Sequence, residues 1–228
     1  MSQPNQPIYT LKDIKVKYSR NMALNIPNFK FHRGAIYAIT GPMSCGKSTF
    51  LNLLSFKLKN YLGVLLYEEK LFKQKWYDQT SHPKGILFSG FYPKRSKETI
   101  QEFFTKVFQE KTNEIKKQYF LKENFSSFWH TPTKNLSRGQ MKRLRLIYAL
   151  ERDPKVLIVD NYGDGFDKNT IIEFNKKLKY NARSKGTTII LSTSQYKDVM
   201  EISNVLLFLD KGYLSKIRSQ KKNNSKSK

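Results

Sequence analysis

The sequence predicts an α/β fold, and three observations point to it. Short apolar or strand-like runs recur at residues 35–39, 156–159, 188–192 and 205–209. Stretches with helical periodicity lie between them, and the first run meets the first such stretch through a glycine-containing loop at residues 41–48. Strands that alternate with helices are the mark of the α/β class.

Near the N-terminus Ile14, Val16 and Tyr18 alternate with Lys15 and Lys17, the pattern of a half-exposed strand, and Phe29 and Phe31 repeat that period in a second one. A turn at Arg33 and Gly34 leads into the buried strand at 35–39. After Gly46, residues Phe50, Leu51, Leu53 and Leu54 fall at helical spacing. From Lys94 to about Lys134 the pattern is helical again, with Phe103, Phe104, Val107, Phe108, Ile115 and Tyr119 on apolar faces. We read this as a small helical insertion whose exposed aromatics need a partner to cover them.

A further helix follows Ser137, with Met141, Leu144, Ile147 and Tyr148 inward and Lys142, Arg143 and Arg145 outward. Val156–Val159 is a short buried strand, residues 171–178 are helical, and 205–209 turns back through Asp210, Lys211 and Gly212 as a hairpin. The tail 218–228, mostly Lys, Asn and Ser with nothing apolar after Ile217, is expected to be mobile.

Of 228 residues 39% are hydrophobic and 14% aromatic, enough to build one sizeable core and to exclude wholesale disorder. No apolar run is longer than that at 205–209, far short of the roughly eighteen residues a membrane helix needs. With no targeting pattern at the N-terminus, an intracellular protein, soluble or peripheral to a membrane, is expected. One cysteine, Cys45, leaves no internal disulfide. The balance of 42 basic against 18 acidic residues gives a net charge of +24, a field that attracts polyanions or an anionic membrane surface. Coding-genome base composition explains it equally well, and aromatics are not interleaved with the basic clusters as a single-strand binder requires. No specific nucleic-acid partner is expected.

The sharpest motif is Gly41-Pro42-Met43-Ser44-Cys45-Gly46-Lys47-Ser48, the P-loop pattern G-x-x-x-x-G-K-[ST], placed between a strand and a helix as its chemistry demands. Its glycines let backbone N–H groups face phosphate oxygens. Lys47 would reach the β- and γ-phosphates of a nucleotide, Ser48 would ligate Mg²⁺, and Thr49 follows in the first turn of the helix. Chance produces the pattern in on the order of one chain in a hundred of this length, so a plain glycine turn is the weaker reading. Val156–Val159 then ends in Asp160, the acid such a loop requires on a neighbouring strand for the metal.

Leu136-Ser137-Arg138-Gly139-Gln140 closely resembles the L-S-G-G-Q signature of ATP-binding-cassette (ABC) ATPases, upstream of Asp160 as in that family. The resemblance spans nearly the whole chain. It implies a P-loop NTPase fold with an N-terminal antiparallel β subdomain and a small helical insertion. It also implies ATP and Mg²⁺ as ligands, with Ser137, Gly139 and Gln140 closing on nucleotide held by a second cassette. Tyr18 matches the aromatic that stacks on adenine, although a strand core residue is an equal reading. Asp167 matches the acid of the loop through which two cassettes of this family meet.

Three catalytic positions depart from the family. Asn161 stands where a water-polarising Glu is usual, Ser194 where a switch histidine is expected, and no Gln occurs in residues 84–100, so that Phe91 is the best match to the Q-loop glutamine. Retained binding with weak or no hydrolysis is the expectation.

Within the family, Gly90, Pro93 and Thr193-Ser194-Gln195 resemble the ATPase subunit of the cytochrome c maturation haem exporter. Residues 85–86, 92–93 and 37–39, with Asp164-Gly165-Phe166-Asp167, resemble the Suf iron–sulfur assembly ATPase. An ABC transporter subunit is the leading expectation. The others are a scaffold-bound assembly ATPase and a non-hydrolysing structural subunit. Expected partners are a membrane permease or a scaffold chain, and a second nucleotide-binding domain. The lysine surplus would suit an organelle, mitochondrion or plastid. The expected division is 1–93 with 135–217 as ATPase core, 94–134 as helical subdomain and 218–228 as basic tail.

Overall fold

The computed structural model describes residues 6–19, 21–71, 83–90, 92–120 and 126–219. Their packing forms two compact units, one from the described parts of 1–88 and 153–228 and the other from 89–152.

The first unit holds one mixed sheet. Strands β1 (Pro7–Tyr18) and β2 (Asn21–His32) pair antiparallel, and β4 (Leu62–Tyr67) and the two-residue β5 (Lys70–Leu71) extend that half. In the other half β3 (Ile36–Thr40), β6 (Ile86–Phe88), β7 (Val156–Val159), β8 (Thr188–Thr193) and β9 (Val205–Asp210) run parallel, and β10 (Tyr213–Ser219) folds back on β9. The described strands follow the order β5-β4-β1-β2-β10-β9-β3-β8-β7-β6. Patterning explains the division: β3, β7 and β8 are buried along their whole length, as a parallel strand covered on both faces must be, whereas β1 alternates from Asp13 to Lys17, with Ile14 and Val16 buried between exposed residues. Helices α1 (Lys47–Leu54) and α5 (Lys168–Ser184) belong to the same unit.

The core under the antiparallel half is aromatic. Phe31 lies edge-on to Tyr9, Phe29, Tyr37 and Phe50, with centroid separations of 4.7 to 6.1 Å. Tyr9 donates its hydroxyl to the Leu54 carbonyl at 2.9 Å, so the polar end of a buried ring is satisfied by the last turn of α1.

The second unit contains α2 (Ile100–Phe108), α3 (Thr112–Tyr119) and α4 (Arg138–Glu151). A capping box of Thr99 and Glu102 starts α2. The aromatics expected to be exposed are covered within the unit: Phe104 stacks on Trp129 at 5.9 Å, Phe120 meets the same indole at 4.9 Å, and Phe103, Phe104, Phe120 and Trp129 are all buried. Arg143, read as outward-facing, is buried too, and donates to the Tyr119 carbonyl at 3.4 Å. At the end of the same helix Glu151 accepts from the Tyr119 hydroxyl at 2.7 Å and pairs with Lys111 at 2.9 Å. Such contacts bind α4 to α3, which is why residues 135–152 pack with the helices although the sequence grouped them with the ATPase core.

The hairpin expected at 210–212 is present as the turn between β9 and β10. Arg218 and Ser219, assigned from sequence to the tail, instead pair with Leu206 and Val205 in that ladder, and 220–228 lie outside the described residues. Phe31→Ala should destabilise the fold by about 3–5 kcal/mol, because the four rings around it cannot collapse into the space. Denaturant unfolding checks this: the midpoint should fall while the slope stays unchanged.

Candidate functional site

The loop of residues 41–48 leaves the C-terminal end of β3 and enters α1, and two close approaches dictate its glycines. A Cβ at Gly41 would lie 2.0 Å from the Leu209 carbonyl oxygen, and one at Gly46, where φ is 107°, would lie 2.6 Å from that of Ala23. Cys45 is buried with its sulfur against Gly41 and fills space there. Its carbonyl accepts the Gly212 N–H at 3.0 Å, which ties the loop to the β9–β10 turn. Ser44, at φ 60°, and Met43 stand at the exposed tip.

Helix α1 begins at Lys47, so the N–H groups of its first turn, at Lys47, Ser48 and Thr49, have no partner four residues back and present a partial positive charge to the loop. The Lys47 ammonium donates to the carbonyls of Gly41 at 2.8 Å and Pro42 at 2.7 Å, folding over the loop it follows. Ser48 donates its hydroxyl to Asp160 Oδ2 at 3.0 Å, which joins α1 to the end of β7. The P-loop and its acid, read apart in sequence, are therefore neighbours.

Sequence reasoning missed Ser192. Its hydroxyl donates to Asp160 Oδ1 and accepts the Asn161 N–H at 2.8 Å. The only available signal was a serine following the apolar run Ile189 to Leu191 in that strand. Asn161 is exposed and left-handed at φ 51°, a conformation that Asn adopts more readily than most residues. Ser194, just past β8, is exposed. Tyr18, at the end of β1, is 52% exposed, which removes the strand-core reading and leaves its ring open on the surface. Phe91 lies outside the described residues.

Asp167 caps α5 through the Thr170 N–H at 2.8 Å and hydroxyl at 2.9 Å, bonds that hold its carboxyl below the usual carboxylate range. In the second unit Ser137 and Gln140 form a capping box at the start of α4: the Ser137 hydroxyl accepts the Gln140 N–H at 3.2 Å and the Gln140 side chain accepts the Ser137 N–H at 2.7 Å. Gly139, between them, is half-buried in the first turn.

Lys57, three residues beyond α1, was not singled out from sequence either. Its ammonium sits 3.5 Å from the centroid of the Phe88 ring. Burial lowers its pKa from 10.5 to about 8, and the Asp160 charge opposes that shift. The unfolded chain therefore binds this proton more tightly, and the residue's cost to stability, full below pH 8, fades as pH rises towards 10.5. Lys57→Met should stabilise the protein by on the order of 1 kcal/mol at pH 7, a figure discounted for the side chain's partial exposure, and by less at pH 10. Thermal unfolding of both proteins at the two pH values tests this, and an equal gain at both would refute it.

A protein-family profile described as ABC transporter matches residues 24–162 of the chain. Among curated proteins, a methionine import ATP-binding protein of Chlamydia pneumoniae is 22% identical, the match covering 95% of this chain and 67% of the relative. A zinc import ATP-binding protein of Aliivibrio fischeri is 26% identical over 89% of this chain and 79% of its own. Among solved structures, a nucleotide-free ATP-binding cassette from an ABC transporter superposes with a TM-score of 0.75 at 19% identity, covering 95% of this chain and 92% of that one. A bacterial ABC transporter cassette solved as a dimer gives 0.74 at 20% identity, with 93% and 99% covered. At such identities these structures establish the fold.

Proposed function

The chain belongs to the ABC transporter family, and on that premise we propose that it is the ATP-binding subunit of a transporter-type complex with slow or no hydrolysis of its own. The observation that carries the reading is the Ser48–Asp160 contact at 3.0 Å beneath the start of α1. It sets a hydroxyl and a carboxylate, both hard oxygen donors, next to a loop whose backbone leaves no room for side chains at Gly41 and Gly46. The residues fit a Mg²⁺–nucleotide complex. Two oxygens are fewer than the six such a cation takes, so the rest must come from phosphates and water.

In this reading the first-turn amides of α1 and the Lys47 ammonium bind the phosphates, Lys47 exchanging its two loop carbonyls for them. Ser48 and Asp160 hold Mg²⁺, which neutralises phosphate charge. Tyr18 offers a ring to the adenine. A second nucleotide-binding domain faces this one, with Ser137, Gly139 and Gln140 as the complementary half-site. The family relationship and the dimeric fold neighbour support pairing and a membrane-permease partner.

The haem-exporter-like assignment is the finer part of the proposal, with a Suf-type scaffold ATPase as its rival. A membrane-spanning partner on pull-down favours the first and a soluble β-rich scaffold the second. Assigning 94–134 to partner docking, an anionic membrane as a peripheral contact and an organelle as the setting belong to the same proposal. Among the described residues no helix is long and apolar enough to cross a membrane.

Slow hydrolysis follows from Asn161 and Ser194. An amide can hydrogen-bond a water but cannot accept its proton at neutral pH, and loss of a positioned base costs about 10²- to 10⁴-fold in rate.

Two outcomes are expected. ATP with Mg²⁺ should bind, and Lys47→Ala should weaken binding at least about tenfold, since a charge-assisted hydrogen bond is lost. A fluorescent-nucleotide titration measures this, and absence of millimolar affinity in the wild type with its partners present would end the reading.

The wild type should also hydrolyse ATP very slowly, with a modest gain from Asn161→Glu, because Glu adopts the left-handed backbone less readily. Adding Ser194→His should raise the rate beyond the product of the single changes. Single-turnover phosphate release from the four proteins is the test. Wild-type turnover near one per second, which is ordinary for an enzyme, would contradict a depleted site.

A further inference from the structure

Asp160 is gripped at both carboxylate oxygens by serines from different elements. Ser48 of α1 donates to Oδ2 at 3.0 Å, and Ser192 of β8 donates to Oδ1. The two grips differ in kind, for Ser48 is exposed and Ser192 is fully buried. The Ser192 hydroxyl also accepts the Asn161 N–H at 2.8 Å, and its carbonyl accepts the Tyr162 N–H at 2.8 Å. One buried residue thus orients three consecutive residues at the end of β7. A hydroxyl has a single proton to give, and here it goes to the carboxylate while a lone pair takes the amide. With Oδ1 engaged in this way, Oδ2 is the oxygen that stands beside Ser48.

We propose that Ser192 is the positioning residue of the metal subsite and sets its cation preference, by restricting Asp160 to one ligating oxygen. The inference rests on the nucleotide reading above, which assigns Ser48 and Asp160 to the cation. A single carboxylate oxygen suits Mg²⁺, which is small and demands near-octahedral geometry. Ca²⁺ is larger and accepts a bidentate carboxylate, a mode that the Ser192 hydroxyl blocks. Removing that hydroxyl frees Oδ1 to turn towards a cation and deprives the Asn161 amide of its acceptor. Selectivity for Mg²⁺ over Ca²⁺ then falls, an effect that a purely structural hydroxyl would not have.

The test uses the full chain and a fluorescent ATP analogue, titrated in EDTA, in Mg²⁺ and in Ca²⁺, for wild type, Ser192→Ala and Ser192→Thr. The EDTA affinity of each protein is its own reference. In Ser192→Ala the Mg²⁺ concentration that half-saturates the gain in nucleotide affinity should rise roughly tenfold, the scale on which outer-shell partners act on metal sites. The Ca²⁺ requirement should not rise with it, so the Mg²⁺/Ca²⁺ ratio collapses, whereas Ser192→Thr, which keeps the hydroxyl, should restore most of the ratio.

A folded Ser192→Ala with the wild-type ratio overturns the proposal. Should that variant fail to fold, Ser192→Cys takes its place: its weakly donating thiol must lower the ratio relative to Thr, and equal ratios overturn the proposal just as well. Wild-type protein that binds nucleotide equally in EDTA, Mg²⁺ and Ca²⁺ overturns it while leaving the P-loop reading intact. Wild-type protein that binds no nucleotide at all overturns both.

Discussion

The Gly212 peptide in the β9–β10 turn gives its N–H to the Cys45 carbonyl at 3.0 Å and takes the Asn25 N–H on its oxygen at 2.8 Å. One residue thereby fastens the loop of residues 41–48 to β2 and to the end of the parallel half of the sheet. The backbone at Gly41 and Gly46 is pressed so closely on Leu209 and Ala23 that no side chain fits at either. The loop thus has its shape only when β2, β9 and β10 are in register around it, and the antiparallel half of the sheet is part of the site even though it contributes few groups to it. Once the loop is set, α1 starts at Lys47, Ser48 falls beside Asp160, and the first-turn amides converge.

Much of this was legible because burial on both faces leaves an unmistakable trace. Residues 35–39 and 156–159 are apolar without interruption, and the structure makes β3 and β7 of them. The alternation around Val16 likewise marks β1. Strand β4 escaped notice: Leu62, Val64 and Leu66 are apolar on the side away from the core, so the sequence around them shows no period of two. Arg143 misled for a related reason. A guanidinium on a helix reads as solvent-facing, yet here a backbone carbonyl made its burial tolerable. The aromatics of 94–134 were read as needing a partner because sequence spacing cannot show that Trp129, placed after α3, closes over Phe104.

At the site itself, residue type was informative and mutual support was not. Lys47, Ser48 and Asp160 carry chemistry that a motif can announce. Ser192 carries none by itself and matters only through Asp160 and Asn161, each remote from it in sequence but adjacent once β7 and β8 pair from Val156 with Thr188 to Val159 with Leu191. The exposed left-handed backbone of Asn161 has the same origin, since the Ser192 hydroxyl and carbonyl take the N–H groups on either side of its side chain. Substitution at that position therefore alters the turn as well as the chemistry.

Strand β3 pairs with β8 and β9, Ile36 with Ile189 and Tyr37 with Val205. A ribosome making this chain produces the unbroken apolar strand β3 long before its partners β8 and β9. Between the two it synthesises α2, α3 and α4, whose contacts, such as Tyr119 with Glu151, join residues closer in sequence than Ile36 and Ile189 and can form sooner. The helical segment thus matures while the phosphate loop, which depends on β9 and β10, is still a bare peptide. Between the completion of the helical unit at residue 152 and the synthesis of β8 and β9, this is a protein with one finished unit and an unpaired β3, so its yield in a cell depends on how well β3 is shielded until those partners emerge.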